Sequence, residues 1–214
     1  MTQSKQVLHR ILQNHLASFI ARIFEAVCPS DRFSSNWHID VISDHLEQAQ
    51  RGDIKRLIIT MPPRSLKSIC ASIAFTCWVL GRDPSRRIIC LSYSLDLAIK
   101  FARDCKAIME SGWYCSLFPK TRLLRSTDQE LVTTLNGGRL ATSVGGTLTG
   151  RGGNIIIIDD PMKPQDGKSE SARMQLQQWF NNTLFSRLDN KADDVIILVM
   201  QRLHEDDLVA HLLN

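Results

Sequence analysis

Residues 56–75 read RLIIT-MPPRSLKS-ICASIAF: an apolar run, a polar loop ending in Lys67-Ser68, and a segment apolar on nearly all sides. The run at 56–60 predicts a short strand, and Lys67 to Leu80 predicts a buried helix stopped by Gly81. A strand, a loop carrying Lys-Ser and a helix, in that order, form the setting of a phosphate-binding loop. In such a loop, backbone N–H groups at the helix N-terminus hold phosphate oxygens. The lysine reaches the β and γ phosphates, and the serine hydroxyl ligates Mg2+. The spelling departs from G-x-x-x-x-G-K-[ST], with Met61 at the first glycine position and Leu66 at the second. Glycine before the lysine lets the backbone approach phosphate closely, and leucine restricts that approach.

The alternation continues downstream. RIICLSY (87–93) predicts a strand, and Ser94 caps a helix running to about Glu110. ELVTTL and RLATSV flank Asn136-Gly137-Gly138, a hairpin signal. IIIID (155–159) and VIILVMQ (195–201) are apolar throughout, with a helix expected near Ser169–Leu188 between them and Asp206-Asp207 near the start of a final helix. Buried strands alternating with helices define an α/β fold, a mostly parallel sheet with helices on both faces. Upstream, Leu8, Leu12, Leu16, Phe19 and Ile23 predict one amphipathic helix over 5–27, ended at Cys28-Pro29-Ser30-Asp31. A second helix is expected from about Asn36 to Arg51, closed by Gly52.

The stretch NIIIIDDP (154–161) places two carboxylates at the end of a buried strand. Open α/β sheets bind ligands at that carboxyl edge. Asp159 can hold Mg2+ while Asp160 orients or deprotonates an attacking water. The bland alternative is that Asp160-Pro161 only ends a strand. Gln201, at the tip of the 195–201 strand, can sense a γ-phosphate, or can likewise just terminate its strand. Glu205, Asp206 and Asp207 read as the acidic first turn of a helix rather than a metal cluster.

Composition bounds the rest. The chain has 214 residues, 43% apolar and 22% charged, which excludes a wholly disordered chain and suits one domain. No apolar run approaches the ~18 residues of a membrane span. The N-terminus lacks the apolar core of a signal peptide, so a soluble, cytoplasmic protein is expected. The cysteines at 28, 70, 77, 90, 105 and 115 form no C-x-x-C pair and read as reduced, structural thiols. Net charge is +4, unevenly spread: residues 61–154 carry 13 basic and 6 acidic groups, and residues 155–214 carry 6 basic and 10 acidic. A basic middle third can face a polyanion such as nucleic acid, or can be an ordinary solvated surface.

Taken together, MPPRSLKS, GGTLTGRGGNIIIIDDP and QRLHEDDL resemble the ATPase domain of the large terminase subunit of tailed bacteriophages and prophages, from about Trp37 onward. Motors of that family drive double-stranded DNA into a preformed capsid through the portal. The resemblance implies a P-loop ATPase of the additional-strand type, using ATP and Mg2+. It implies a helical lead segment at 1–35 and the ATPase domain at 36–214, with double-stranded DNA, portal protein and small terminase subunit as partners. The subunits would form a homo-oligomeric ring on the portal.

By resemblance, Lys67 and Ser68 match the phosphate-loop lysine and the Mg2+ hydroxyl, with Ser65 and Leu66 beside them in the loop. Arg64 matches an arginine contacting the γ-phosphate, and Asp159 matches the Mg2+ carboxylate. Asp160 stands where many of these motors have glutamate. Arg151 resembles an arginine offered to a neighbouring subunit's ATP. Trp37 and His38 lie near where such ATPases hold adenine, although a core tryptophan with a surface histidine is the simpler reading. Relatives carry a nuclease domain after the ATPase. This sequence ends at HLLN, and no nuclease residues are expected in it. A helicase-like ATPase and a non-catalytic assembly module are the competing functions.

Overall fold

The computed structural model describes residues 3–148 and 150–214. Seven strands form one sheet: β1 (Arg56–Thr60), β2 (Arg87–Ser92), β3 (Leu123–Ser126), β4 (Glu130–Thr133), β5 (Gly138–Ser143), β6 (Ile155–Asp159) and β7 (Val195–Met200). Their spatial order is β1-β7-β6-β2-β5-β4-β3. All neighbours from β1 across to β5 are parallel, and β4 and β3 add antiparallel strands at the far edge. The β4–β5 hairpin is the one signalled by Asn136-Gly137-Gly138, and Asn136 adopts φ 62° in its turn. β7 lies between β1 and β6, so a strand is inserted between the one leading into the Lys67 loop and the one ending in Asp159.

The central strands are apolar throughout because both their faces are covered. Ile88, Cys90, Ile155, Ile157, Val195, Ile197 and Val199 face one core, and Ile89, Leu91, Ile156, Ile158, Ile196, Leu198 and Met200 face the other. The first core is roofed by α1 (Gln3–Asn14), α2 (Leu16–Val27), α3 (Trp37–Arg51), α4 (Thr76–Arg82), α5 (Leu95–Glu110) and α6 (Gly112–Leu117). The second is roofed by α7 (Glu170–Trp179) and α8 (Leu208–Leu213). A π-helical segment, Ile69–Phe75, leads from the Lys67 loop into α4. All six cysteines are free, and Cys70, Cys77, Cys90 and Cys105 are buried. No helix of the described residues is long and apolar enough to cross a membrane.

Two expectations are corrected. The helix over 5–27 is broken at His15, which is extended (φ −133°, ψ 103°) and caps α2 by accepting the Ser18 N–H. The apolar periodicity runs through the break because Leu12 and Leu16, on either side of it, enter the same core. Trp78 Nε1 donates to Leu12 O at 3.1 Å, fastening α1 to α4.

Gly81 does not stop its helix. It lies within α4, which ends at Arg82 with Asp83 as its C-cap, and a Cβ there would come within 2.5 Å of the Phe118 ring. Glycine is required for packing rather than for termination. Gly81→Ala is therefore expected to destabilise the fold by about 1–3 kcal/mol through overpacking. Gly112→Ala, where a Cβ meets nothing within 4 Å, should lie close to the parent. Urea midpoints of the two variants make the comparison, and equal midpoints would refute it.

Candidate functional site

β1 delivers the chain to the carboxyl edge of the sheet, where Met61 N–H donates to Met200 O at 3.1 Å. The loop then turns through two left-handed residues, Arg64 (φ 63°) and Leu66 (φ 62°). Leu66 thus adopts the backbone that glycine would supply, at a cost of about 1–2 kcal/mol for an L-residue. Its side chain packs against the first core, as does that of Met61, which offsets part of that cost. The sequence alone suggested that leucine would restrict the loop, yet the loop takes the glycine conformation with leucine in place. Ser65 Oγ donates to Pro62 O at 2.8 Å, and His38 Nε2 on α3 donates to Ser65 O at 3.2 Å.

Lys67 is only 6% exposed, and a buried ammonium needs a partner. It has one in Asp160, with Nζ to Oδ2 at 3.2 Å. Asp160 Oδ1 accepts the Gln201 N–H at 3.2 Å, and its backbone is tied on both sides, to Val199 O and from the Tyr93 N–H. Asp160 itself is left-handed at φ 44°, a conformation aspartate tolerates better than most residues.

Asp159 is buried at the end of β6 and accepts two hydroxyls, Ser68 Oγ at 3.0 Å on Oδ1 and Ser72 Oγ at 2.6 Å on Oδ2. Burial, followed by the adjacent Asp160 charge, pushes its carboxyl up to about 6, while the serine hydrogen bonds and Lys67 pull it back. Ser72 escaped the sequence reading. Its one signal was a hydroxyl four residues past Ser68 in an otherwise apolar helix.

The arrangement therefore joins Lys67, Ser68, Asp159, Asp160 and Gln201 on one sheet edge. Arg64 is exposed on the same loop. A serine hydroxyl against a carboxylate is a hard-oxygen donor set of the kind Mg2+ takes, so Ser68 and Asp159 fit that ion, and Lys67 beside them fits a phosphate.

Other expected residues lie elsewhere or differ from expectation. Trp37 is not a core residue: it opens α3 at 73% exposure, with its ring edge-on to His38. His38 is half-buried and touches the loop. Arg151 precedes β6 and so lies at the opposite, amino edge of the sheet, about 16 Å away by strand length. There it is paired with Glu130 at 2.6 Å. Thr149, in the stretch quoted with Arg151, lies outside the described residues. Asp207 caps α8 by accepting the Val209 and Ala210 N–H groups, as its acidic run implied. His204, Glu205 and Asp206 bring possible ligand atoms within 4.8 Å of one another in a turn where Glu205 and Asp206 are exposed. Within the basic third, Arg86, Arg87, Lys100, Arg103, Arg125 and Arg151 each face a carboxylate.

A proton on Asp159 competes with a metal ion for the same oxygens. Apparent Mg2+ affinity in the presence of nucleotide is expected to fall about tenfold per pH unit below about 6. Ser72→Ala removes a hydrogen bond that favours the ionised form, so its midpoint should move upward. Phosphate titration of the nucleotide is common to both proteins and cancels in the difference. Identical midpoints would show that the Ser72 bond does not tune this carboxylate.

The order of the strands and the edge they share define the P-loop NTPase fold of the additional-strand type. Among solved structures, the chain is similar to the crystal structure of the HK97 bacteriophage large terminase, with a TM-score of 0.57 and 14% sequence identity. The match covers 92% of this chain and 40% of that one, and at this identity it establishes a common fold. No family model matches the sequence, and no curated protein matches it.

Proposed function

We propose that this chain is the ATP-hydrolysing motor domain of a terminase large subunit, which drives double-stranded DNA into a procapsid. The observation that carries the reading is the meeting of Lys67 with Asp160, and of Ser68 with Asp159, at one carboxyl edge. The fold shared with a phage large terminase supports it.

In this reading Lys67 and the loop N–H groups bind the β and γ phosphates, and Lys67 leaves Asp160 to do so. Ser68 and Asp159 would hold Mg2+, which would supply charge neutralisation on the phosphate oxygens. Asp160, released from Lys67, accepts a proton from or orients the attacking water. Gln201 follows the γ-phosphate, and Arg64 reaches it from the exposed side of the loop. Trp37 and His38 flank the loop on the side proposed for adenine. Portal protein, small terminase subunit and DNA are the proposed partners, and the motor works as a ring in the host cytoplasm.

Nucleotide binding by calorimetry, followed by phosphate release with and without DNA, tests the reading. Turnover without strand separation supports the motor. Turnover with strand separation means a helicase-like ATPase, and binding without turnover means an assembly module. Asp160→Asn should keep Mg2+–ATP binding within a few-fold while lowering turnover about 100-fold or more. Asp159→Asn should instead weaken the Mg2+-dependent part of binding. Equal losses of binding in both variants would contradict this division of roles.

A further inference from the structure

Ser92 closes β2, and its hydroxyl is buried at 1% exposure with no hydrogen-bond partner among the described residues. A buried hydroxyl without a partner is a costly state that native folds seldom keep. Its position says what it serves. Ser92 and Asp159 are register partners in parallel strands, so their side chains leave the sheet on the same face. Two residues earlier, Cys90 meets Thr76 Oγ1 from the overlying helix at 3.7 Å, and Ser72, four residues before Thr76, bonds Asp159. The Ser92 hydroxyl is thus held in the same layer as the Asp159 carboxylate and the Ser72 hydroxyl. Its backbone is fixed as well, since Ser92 O accepts the Val144 N–H and the next residue's N–H donates to Asp160 O.

We propose that Ser92 is a positioning residue for Asp159, a hydroxyl kept in reserve for the cation-loaded state. The inference rests on the nucleotide reading above. Without a cation, Ser68 and Ser72 supply both hydrogen bonds the carboxylate takes. Ser68 and Asp159 are the residues that would hold a divalent cation, and the Ser68 hydroxyl would then no longer be free to donate to the carboxylate. Ser92 would replace that donor and hold the carboxylate in its ligating orientation. Outer groups that orient a metal-ligating carboxylate typically account for 10- to 100-fold in metal affinity.

The test is binding of a fluorescent ADP analogue, measured across a Mg2+ titration and in chelator. Ser92→Ala should need about 10- to 100-fold more Mg2+ to reach half-maximal enhancement of binding. Its affinity in chelator should stay at the parent value. Ser92→Thr, which keeps the hydroxyl, should restore the parent midpoint. Ser92→Cys, close in size but a weak donor, should follow Ser92→Ala and serves if the alanine variant does not fold. A parent-like Mg2+ midpoint in Ser92→Ala or Ser92→Cys overturns the proposal while leaving the nucleotide site intact. So does a loss in chelator as large as the loss in Mg2+, which marks a packing role. If the parent protein itself binds no nucleotide, the reading beneath the proposal fails, and the proposal fails with it.

Discussion

Lys67→Ala is expected to lower ATP hydrolysis by more than about a hundredfold, the range seen when one preorganised donor to a developing anion is removed. Lys67 is buried at the start of the helix and is already poised beside the carboxylate edge, 3.2 Å from Asp160. An incoming phosphate offers it a second anion, and a charge-assisted hydrogen bond in a water-poor site is worth far more than one at the surface. The variant should still fold. Asp160 keeps 27% of its side chain in solvent and retains the Gln201 N–H, so removing the ammonium does not strand a buried charge. Phosphate release at saturating Mg2+–ATP, with a melting curve as control, decides it. A folded variant that hydrolyses ATP at the parent rate would mean that the loop is not a nucleotide site.

What could be read from the sequence was whatever local chemistry dictates. Four consecutive isoleucines before Asp159 can only be satisfied with apolar cover on both faces, and the sheet provides it through two separate cores. The two aspartates follow directly, because a buried strand must release its polar residues at an edge. Contacts made across the sheet were not readable. Ser72 reaches Asp159 over 87 positions and Lys67 reaches Asp160 over 93, and neither spacing leaves a local pattern. β3 was missed because LLRS is short and turns Leu124 to solvent at 69% exposure, so no apolar periodicity marks it. Leu66 misled in the opposite direction. Residue type argued against the loop conformation, and the packing of its side chain on the core offsets part of an intrinsic cost of about 1–2 kcal/mol. Trp37 was open to a core reading because tryptophan is usually covered, and its exposure beside the loop is a tertiary fact.

Arg151→Ala is the substitution expected to separate a motor that works as a ring from one that works alone. The arginine lies on the amino edge of the sheet, away from the Lys67 edge of its own subunit, and cannot serve its own nucleotide without crossing the length of β6. Its ion pair with Glu130 leaves the Arg151 side chain 50% exposed, and exposed pairs are worth only about 0–1 kcal/mol. Glu130 also holds Arg125, so it would not be left without a partner. Arg151 can therefore be redirected at little cost to a neighbour's γ-phosphate, where arginines acting in trans accelerate hydrolysis by about 10³–10⁵. Hydrolysis per subunit should then rise with protein concentration or with assembly on the portal. Arg151→Ala should abolish that rise while leaving the nucleotide affinity of the isolated subunit close to the parent's. If Arg151 instead binds DNA phosphate, the variant should bind DNA more weakly, with a shallower salt dependence and unchanged basal turnover. Mixing Arg151→Ala with Lys67→Ala subunits sharpens the distinction. Some interfaces in each mixed ring carry both defects and others carry neither, so partial activity should return. A mixture that stays inactive, or an Arg151→Ala protein that keeps its full assembly-dependent rate, would rule the trans role out.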